Sequence, residues 1–100
     1  MIQWRIIVEF QPENMSKGIV ALKKITSHLQ KKLDWPEIQI YRGFIGVEEN
    51  RCDVVAYFKS LADFEEAWKR WGKSPESKVL AEGYHKLVES EKIEIYQRVN

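Results

Sequence analysis

The sequence predicts an α+β protein built on a four-stranded antiparallel sheet, with helices on one face of that sheet. Four segments alternate between apolar and polar residues, as strands do. Between the first and second of them, and between the third and fourth, apolar residues recur at helical spacing. Turn-forming residues separate the segments. The element order is therefore β-α-β-β-α-α-β, and 100 residues fit a single domain, residues 1–100.

The first predicted strand is followed by a long helix. Residues 2–10 alternate in polarity. The apolar face of this strand carries Ile2, Trp4, Ile6, Val8 and Phe10. A helix is predicted from Met15 to Leu33, although Gly18 is a weak helix former. His28 flanks the apolar stripe of this helix among lysines, and we expect it to be solvated. Pro36 ends the helix, because proline disfavours the helical conformation of the residue before it.

Two further strands are predicted in the middle of the chain. Residues 37–47 are expected to be extended, with Gly43 and Gly46 producing a bulge or a bend. A polar hairpin turn at residues 48–51 leads into a strand at residues 52–59. Cys52 lies on the apolar face of that strand, so we expect it to be a small buried hydrophobic residue.

The second and third helices are predicted to be one break apart. Ser60 supplies an N-cap, and an aromatic stripe follows it at spacings of 3, 4 and 3 residues. The stripe consists of Leu61, Phe64, Trp68 and Trp71. Gly72 is expected to end this helix in the left-handed conformation. Ser74 and Pro75 are an N-cap and a first helical residue, so the third helix begins at once. A strand at residues 92–99 closes the chain.

This order corresponds to two β-α-β units that share one sheet, which is the ferredoxin-like arrangement. One sheet face matches the apolar stripes of the helices, and no helix remains to cover the other. The uncovered face carries Arg5, Ile7, Glu9, Tyr41, Ile45, Val55, Tyr57 and Tyr96. A face this apolar needs a cover. We expect a second copy of the chain to supply it, so that two sheets close into a dimeric α/β barrel.

The C-terminal half of the chain resembles a known superfamily. The segment KSLADFEEAWKRWGKSPESKVLAEGYHKLVESEKIEIYQRV is similar to the dimeric α/β-barrel superfamily and, within it, to the NIPSNAP-like branch. The likeness to antibiotic-biosynthesis monooxygenases is more distant. Such proteins typically have a helix of the pattern sLad(y/f)ekaw, a short break before proline, a second helix and a final EIY strand. The resemblance implies the fold, while the superfamily includes cofactor-free monooxygenases, haem-degrading enzymes and dehydratases.

Composition restricts the classes of partner. The 16 basic and 15 acidic residues give a net charge of +1 and are interspersed, which argues against nucleic acid or an anionic membrane as partner. No apolar run approaches the roughly 20 residues that span a bilayer, and the start of the chain lacks a signal-peptide pattern. The single cysteine suits a reducing compartment, so we expect a cytoplasmic protein. The two histidines and one cysteine lack the spacing of metal ligands, and we expect neither metal nor cofactor.

Trp68, Trp71 and His85 form the first set of candidate site residues. The tryptophans could wall a pocket for a flat ligand between helix and sheet, or they could be core residues. His85 could act as a general base near neutral pH or as an axial haem ligand, or it could simply be exposed. The haem-degrading branch also uses an asparagine on the first strand, which is absent here, so haem is not expected.

The second set of candidates lies on the uncovered sheet face. If that face lines a barrel, its polar side chains would converge on the interior and could hydrogen-bond a small polar or phenolic ligand. The plainer alternative is a network of ion pairs and tyrosines at a dimer interface. The residues concerned are Arg5, Glu9, Tyr41, Arg42, Tyr57 and Tyr96.

Two functions of different classes fit these residues. The first is a homodimeric binding protein whose barrel or helix–sheet cleft holds a small, partly apolar molecule. The second is a cofactor-free monooxygenase acting on a phenol- or quinol-like substrate, with His85 or Glu9 as the base in a water-poor pocket. RNA binding is not expected, because the strand at residues 52–59 lacks the basic-Gly-aromatic signature of RNA-recognition motifs. The sequence leaves open whether the protein is an enzyme.

Overall fold

The computed structural model describes residues 1–43 and 45–100. Its elements follow the predicted order, which confirms the α+β fold class. They are β1 (Ile2–Phe10), α1 (Met15–Lys32), β2 (Ile38–Arg42), β3 (Arg51–Phe58), α2 (Leu61–Lys73), α3 (Pro75–His85) and β4 (Val88–Gln97), with a short 3-10 helix at Pro12–Asn14.

The four strands form one antiparallel sheet in the order β2-β3-β1-β4. Ile6 of β1 lies opposite Val54 of β3 on one side and Ile93 of β4 on the other. Ile40 of β2 lies opposite Val54, so a row of four apolar residues crosses the sheet. The helices pack on the face that carries this row. The arrangement is ferredoxin-like, as predicted.

The core fills the space between the helices and this face of the sheet. Val8, Phe10 and Ala56 are fully buried, and Leu22 and Leu29 of α1 pack against the same cluster. Cys52 is buried there as predicted, and burial raises the pKa of its thiol. The predicted inward faces of β1 and β3 are therefore confirmed.

Several element boundaries differ from the sequence predictions, and three of the differences have a clear cause or consequence. Gly72 lies inside α2, which ends at Lys73 because Ser74 precedes Pro75 and is extended (φ −83°, ψ 119°). The strand expected at residues 37–47 ends at Arg42, and Phe44, which the prediction included, lies outside the described residues. β4 begins at Val88, four residues earlier than predicted, because β1 pairs with it as far as Phe10.

Both helix starts predicted for the second half of the chain are confirmed. The hydroxyl of Ser60 accepts a hydrogen bond from the backbone N–H of Asp63 (3.1 Å). The hydroxyl of Ser74 accepts one from the N–H of Ser77 (3.3 Å), and Pro75 occupies the first turn of α3. One serine thus separates the two helices and caps the second.

Gly18 shows why a weak helix former occupies the start of α1. A Cβ atom at this position would lie 2.5 Å from a ring carbon of Phe10, which is fully buried and cannot move aside. We therefore expect Gly18→Ala to lower the free energy of unfolding by about 1–2 kcal/mol, because overpacking outweighs the gain in helix propensity. Urea denaturation measures this change.

Gly72→Ala is the matched control for Gly18→Ala. Gly72 is also helical, but a Cβ atom there would meet nothing within 4 Å. This variant should gain about 0.5–1 kcal/mol from helix propensity alone. An equal gain in Gly18→Ala would contradict the close packing of Phe10 against α1.

Candidate ligand-binding cleft between helices and sheet

A cavity of about 240 Å³ lies between the helices and the sheet, and we call it the cleft. The helices α1, α2 and α3 and the strands β1, β3 and β4 contribute residues to its wall. Its apolar lining residues are Trp4, Ile6, Leu22, Ile25, Leu29, Trp35, Val54, Trp68, Trp71, Ala81 and Ile93. Its polar lining residues are Thr26, Tyr84, His85 and Glu91. An apolar cavity with a few polar groups is typical of small-molecule sites.

Trp35 forms one end of the cleft, although the sequence places it in a loop. Asp34 has a left-handed backbone (φ 56°), and this reversal lets the N–H of Trp35 donate to the carbonyl of Leu29 (3.0 Å). The indole N–H of Trp35 donates to the buried carbonyl of Ala67 in α2 (3.0 Å). Arg70 of α2 donates to the carbonyls of Leu33 (2.5 Å) and Asp34 (3.1 Å). These bonds fix α2 against the end of α1.

Trp68 and Trp71 both border the cleft. The buried residues of α2 are Phe64 and Ala67, so the helix is rotated relative to the predicted aromatic stripe. Trp71 is half-buried and Trp68 is 41% exposed, with its ring 5.9 Å from that of Phe64. The interpretation of all four stripe residues as core is therefore wrong for Trp68 and for the exposed Leu61.

His85 is exposed and lies at the end of α3, where it also borders the cleft. Its ring lies 5.3 Å from that of Tyr84, measured between centroids. The structure thus brings together Trp68, Trp71 and His85, which the sequence singled out separately. An imidazole that borders the same cavity as two indoles could exchange a proton with a molecule bound there.

Tyr84 and Glu91 form a polar pair that the sequence did not reveal as a site. The hydroxyl of Tyr84 donates to Oε2 of Glu91 (2.5 Å). Burial, followed by this hydrogen bond, raises the pKa of Tyr84 well above its usual range. Glu91 escaped notice because the last strand was predicted to begin at residue 92. Extending the alternation backwards from Ile93 would have placed Glu91 on the helix-facing side.

The wall also contains an unpaired donor. Trp4 is only 2% exposed and its indole N–H has no hydrogen-bond acceptor among the described residues. The ring of Trp4 packs edge-on against Trp35, with centroids 5.0 Å apart. A buried donor without an acceptor is unfavourable, and a bound molecule with an acceptor would relieve it.

His28 is buried (8% exposed), so the prediction of a solvated side chain is wrong. The junction of α2 and α3 packs over it. Its Nε2 lies 3.1 Å from the hydroxyl of Ser74, and its Nδ1 lies 3.3 Å from a carboxylate oxygen of Glu76 without hydrogen-bonding geometry. The ring also meets Trp71 edge-on, with centroids 6.5 Å apart. His28 therefore positions the helix junction that holds Trp71 in the wall of the cleft.

Five residues of the second set lie on the opposite face of the sheet from the cleft, namely Arg5, Glu9, Tyr41, Tyr57 and Tyr96. Arg42 does not, because it lies opposite the buried Cys52 in the register of β2 and β3 and is therefore on the helix-facing side. Arg5 forms an ion pair with Asp53 (3.2 Å), which also pairs with Arg51 (2.8 Å). At the margins of this face, the side chain of Gln3 donates to Tyr57 (3.0 Å). Tyr41 donates to Gln39 (2.9 Å) and Tyr96 donates to Glu94 (2.7 Å). Donation to Glu94 raises the pKa of Tyr96.

Glu9 shares this open face, opposite Arg51 in the register of β1 and β3. The two candidate bases, Glu9 and His85, therefore lie on different sides of the sheet. Of these two, His85 borders the cleft.

Within residues 1–43 and 45–100, no group of three or more metal-binding side chains comes together. Among the helices in the described part of the chain, none is long and apolar enough to cross a membrane.

Solved structures with the same fold are numerous. A NIPSNAP family protein from Agrobacterium tumefaciens (Atu5224) superimposes with a TM-score of 0.83 at 15% identity, over 99% of this chain and 93% of that one. SnoaB from Streptomyces nogalater, described as a cofactor-independent oxygenase, gives a TM-score of 0.77 at 8% identity, over 99% and 93% of the two chains. An antibiotic biosynthesis monooxygenase gives 0.74 at 6% identity over the full length of both chains.

This chain has the fold of those proteins. The resemblance predicted from its C-terminal half is therefore confirmed at the level of fold. No family model matches the sequence, and no curated protein does. Identities this low transfer the architecture alone and leave the chemistry to be argued from the cleft.

The raised pKa of Tyr84 predicts a loss of stability at alkaline pH. The folded state holds this phenol protonated, so its contribution is complete below the unfolded pKa of about 10 and is lost as pH rises above it. In a spectrophotometric titration, one of the four tyrosines should therefore ionise only as the chain unfolds. Tyr84→Phe should remove that late step. A variant that still shows it would contradict the assignment to Tyr84.

Proposed function

We propose that this protein is a homodimeric binding protein whose helix–sheet cleft holds a small, flat, partly apolar molecule. The observation that carries the proposal is the cleft itself: a cavity of about 240 Å³ lined by four tryptophans and by the polar residues Thr26, Tyr84, His85 and Glu91. We further infer that the protein acts in the cytoplasm, as its single cysteine, buried in the core, suggests.

The size of the cleft indicates the size of the ligand. An engineered apolar cavity of roughly 150 Å³ in another protein binds benzene. The larger volume here suits a fused two-ring compound. Trp4, Trp35, Trp68 and Trp71 offer ring faces and edges to such a molecule. The unpaired indole N–H of Trp4 and the pair of Tyr84 with Glu91 offer polar contacts.

The open face of the sheet supports self-association. Tyr41, Tyr57 and Tyr96 are each about half exposed on it, while the Nε atom of Arg5 is buried and finds no acceptor in the part of the chain that the structure describes. Burial of the three tyrosine rings would be favourable. The guanidinium of Arg5 would be stabilised by an acceptor for its Nε–H group. A second copy of the same face would cover the rings and bring further acceptors to Arg5.

An enzymatic alternative is favoured by one specific observation: His85 lines the same cleft as Trp68 and Trp71. We infer that His85 could accept a proton from a phenol-like substrate with dioxygen as the oxidant. In the keto tautomer of such a substrate the reacting ring carbon is a CH₂, and loss of one proton to His85 makes it a carbanion to which dioxygen adds. This carbon would become C=O with one oxygen atom, and the second oxygen atom would leave as water with the two hydrogens of the CH₂. SnoaB, which shares the fold, is described as a cofactor-independent oxygenase.

Oxygen uptake separates the two proposals. Uptake with a naphthol or dihydroxynaphthalene substrate that is lost in His85→Ala would assign the enzyme. Binding of the same compounds without uptake would assign the binding protein. Glu9→Gln is the companion variant, because Glu9 lies on the other face of the sheet and should leave turnover in the cleft unchanged.

Filling the cleft should weaken binding. Ala81 borders the cleft on α3, and Ala81→Leu would place three additional carbon atoms in it. We expect the affinity for naphthol, measured by tryptophan fluorescence, to fall at least about tenfold through steric exclusion. Ala62→Leu is the control, since Ala62 is exposed on α2 and does not line the cleft. Equal affinities of the two variants would contradict binding in the cleft.

The dimer is tested by sedimentation equilibrium. We expect a dimer at micromolar concentration, and we expect Tyr57→Lys to shift the equilibrium towards monomer by placing like charges on both copies of the open face. A wild-type chain that sediments as a monomer at this concentration would contradict the proposal.

A further inference from the structure

Three polar residues that line the cleft, Tyr84, Glu91 and Thr26, offer hydrogen-bond acceptors to a ligand. The single hydroxyl proton of Tyr84 is donated to Oε2 of Glu91 (2.5 Å), so the tyrosine oxygen can only accept from another group. The second carboxylate oxygen of Glu91 makes no hydrogen bond or ion pair within the described part of the chain. The hydroxyl of Thr26, which also lines the cleft, donates to the carbonyl of Lys23 (3.2 Å). These three residues therefore present oxygen acceptors to the cleft, and the hydroxyl protons of Tyr84 and Thr26 are already donated within the protein.

Regular structure holds the pair in place. Glu91 lies opposite Val8 of β1, on the helix-facing side of the sheet, and Ile93 continues the same face into the cleft. Tyr84 is only 4% exposed, and its ring packs edge-on against Phe10 with centroids 6.0 Å apart. A backbone hydrogen bond from Leu87 to Tyr84 (3.0 Å) closes the turn that joins α3 to β4. The carboxylate is thus positioned before any ligand arrives.

We propose that Glu91, positioned by Tyr84, accepts a hydrogen bond from a ring hydroxyl of the ligand, so that the cleft selects hydroxylated fused-ring compounds over their ethers. This inference rests on the proposed function and assigns it a specificity-determining residue. Glu91 is exposed to solvent, so a ligand without a donor would displace water from the free carboxylate oxygen and leave that oxygen unpaired, which is unfavourable. A ligand hydroxyl would replace the water as a donor.

A ligand hydroxyl suits the pair of Tyr84 and Glu91 better than a cationic ligand group does. Tyr84 already donates to the carboxylate and disperses part of its charge. The ring of His85 lies 5.3 Å from that of Tyr84 and would oppose a second positive charge when protonated. A neutral hydroxyl donor does not depend on the full charge of the carboxylate, and a protonated His85 would not repel it.

The test compares naphthol with its methyl ether, methoxynaphthalene, in tryptophan-fluorescence titrations of the wild-type protein. The ether has the same fused rings but lacks the hydroxyl proton that naphthol could donate to Glu91. We expect naphthol to bind at least about tenfold more tightly, as for a hydrogen bond to a charged group. Glu91→Gln should reduce this ratio to about one to three by weakening naphthol, while the affinity for the ether stays the same or rises.

Glu89→Gln is the matched control. It removes the same charge two residues away on β4, and Glu89, which is exposed as Glu91 is, does not line the cleft. The preference for naphthol should persist in this variant. Its loss in both variants would indicate a general effect of charge and would overturn the role of Glu91.

The remaining outcomes separate this inference from the proposed function. Equal binding of naphthol and its ether to the wild type, with both lost in Ala81→Leu, would overturn the inference and leave the binding cleft intact. This comparison needs no Glu91 variant to fold. Tighter binding of naphthylmethylammonium than of naphthol would make Glu91 a counter-ion and would also overturn it. If neither naphthalene compound binds, the proposed function fails and the inference falls with it.

Discussion

The indole of Trp35 connects the layers of this molecule. Its N–H donates to the carbonyl of Ala67 in α2, and its ring packs edge-on against Trp4 of β1 and Phe58 of β3, at 5.0 and 5.4 Å between centroids. Phe58 in turn packs against Phe64 of α2 (5.4 Å). Each such aromatic pair contributes about 0.5–1.5 kcal/mol beyond its buried area. The chain of rings determines where α2 lies, and therefore where Trp68 and Trp71 stand in relation to the sheet.

The helices cover the sheet unevenly, and this explains the position of the cleft. The helix-facing residues of β1 and β3 are almost completely buried, as Trp4, Val54 and Ala56 show. On β4 the corresponding residues Ile93 and Ile95 are 44% and 46% exposed. The cleft lies where the cover becomes incomplete, so a ligand in it would complete the burial of this strand. Because the helices cover β4 only in part, Glu91 stays near solvent while Tyr84 is buried. The carboxylate of Glu91 can therefore border an apolar cavity and keep part of its hydration.

Most of the fold could be predicted from the sequence, because strand alternation and helix caps are local signals. Ser60 and Ser74-Pro75 each specify a helix start within a few residues, and the structure confirms both. The burial of His28 could not be predicted, since it depends on the α2–α3 junction, which is distant in sequence from α1. Trp35 reads as part of a loop, and only the reversal at Asp34 makes it a core residue. Glu91 was missed because pairing with β1, rather than local pattern, sets the start of β4.

The candidate residues separate onto the two faces of one sheet, and each face has its own proposed task. Trp68, Trp71 and His85 belong to the cleft, while Arg5, Glu9, Tyr41, Tyr57 and Tyr96 belong to the face proposed for self-association. The most direct test of this division is a crystal structure of the protein grown with naphthol. The account predicts naphthol between Trp68, Trp71 and His85, with its hydroxyl at Glu91. Naphthol bound on the tyrosine-bearing face, beside Tyr57 or Tyr96, with the cleft closed by side chains, would contradict it.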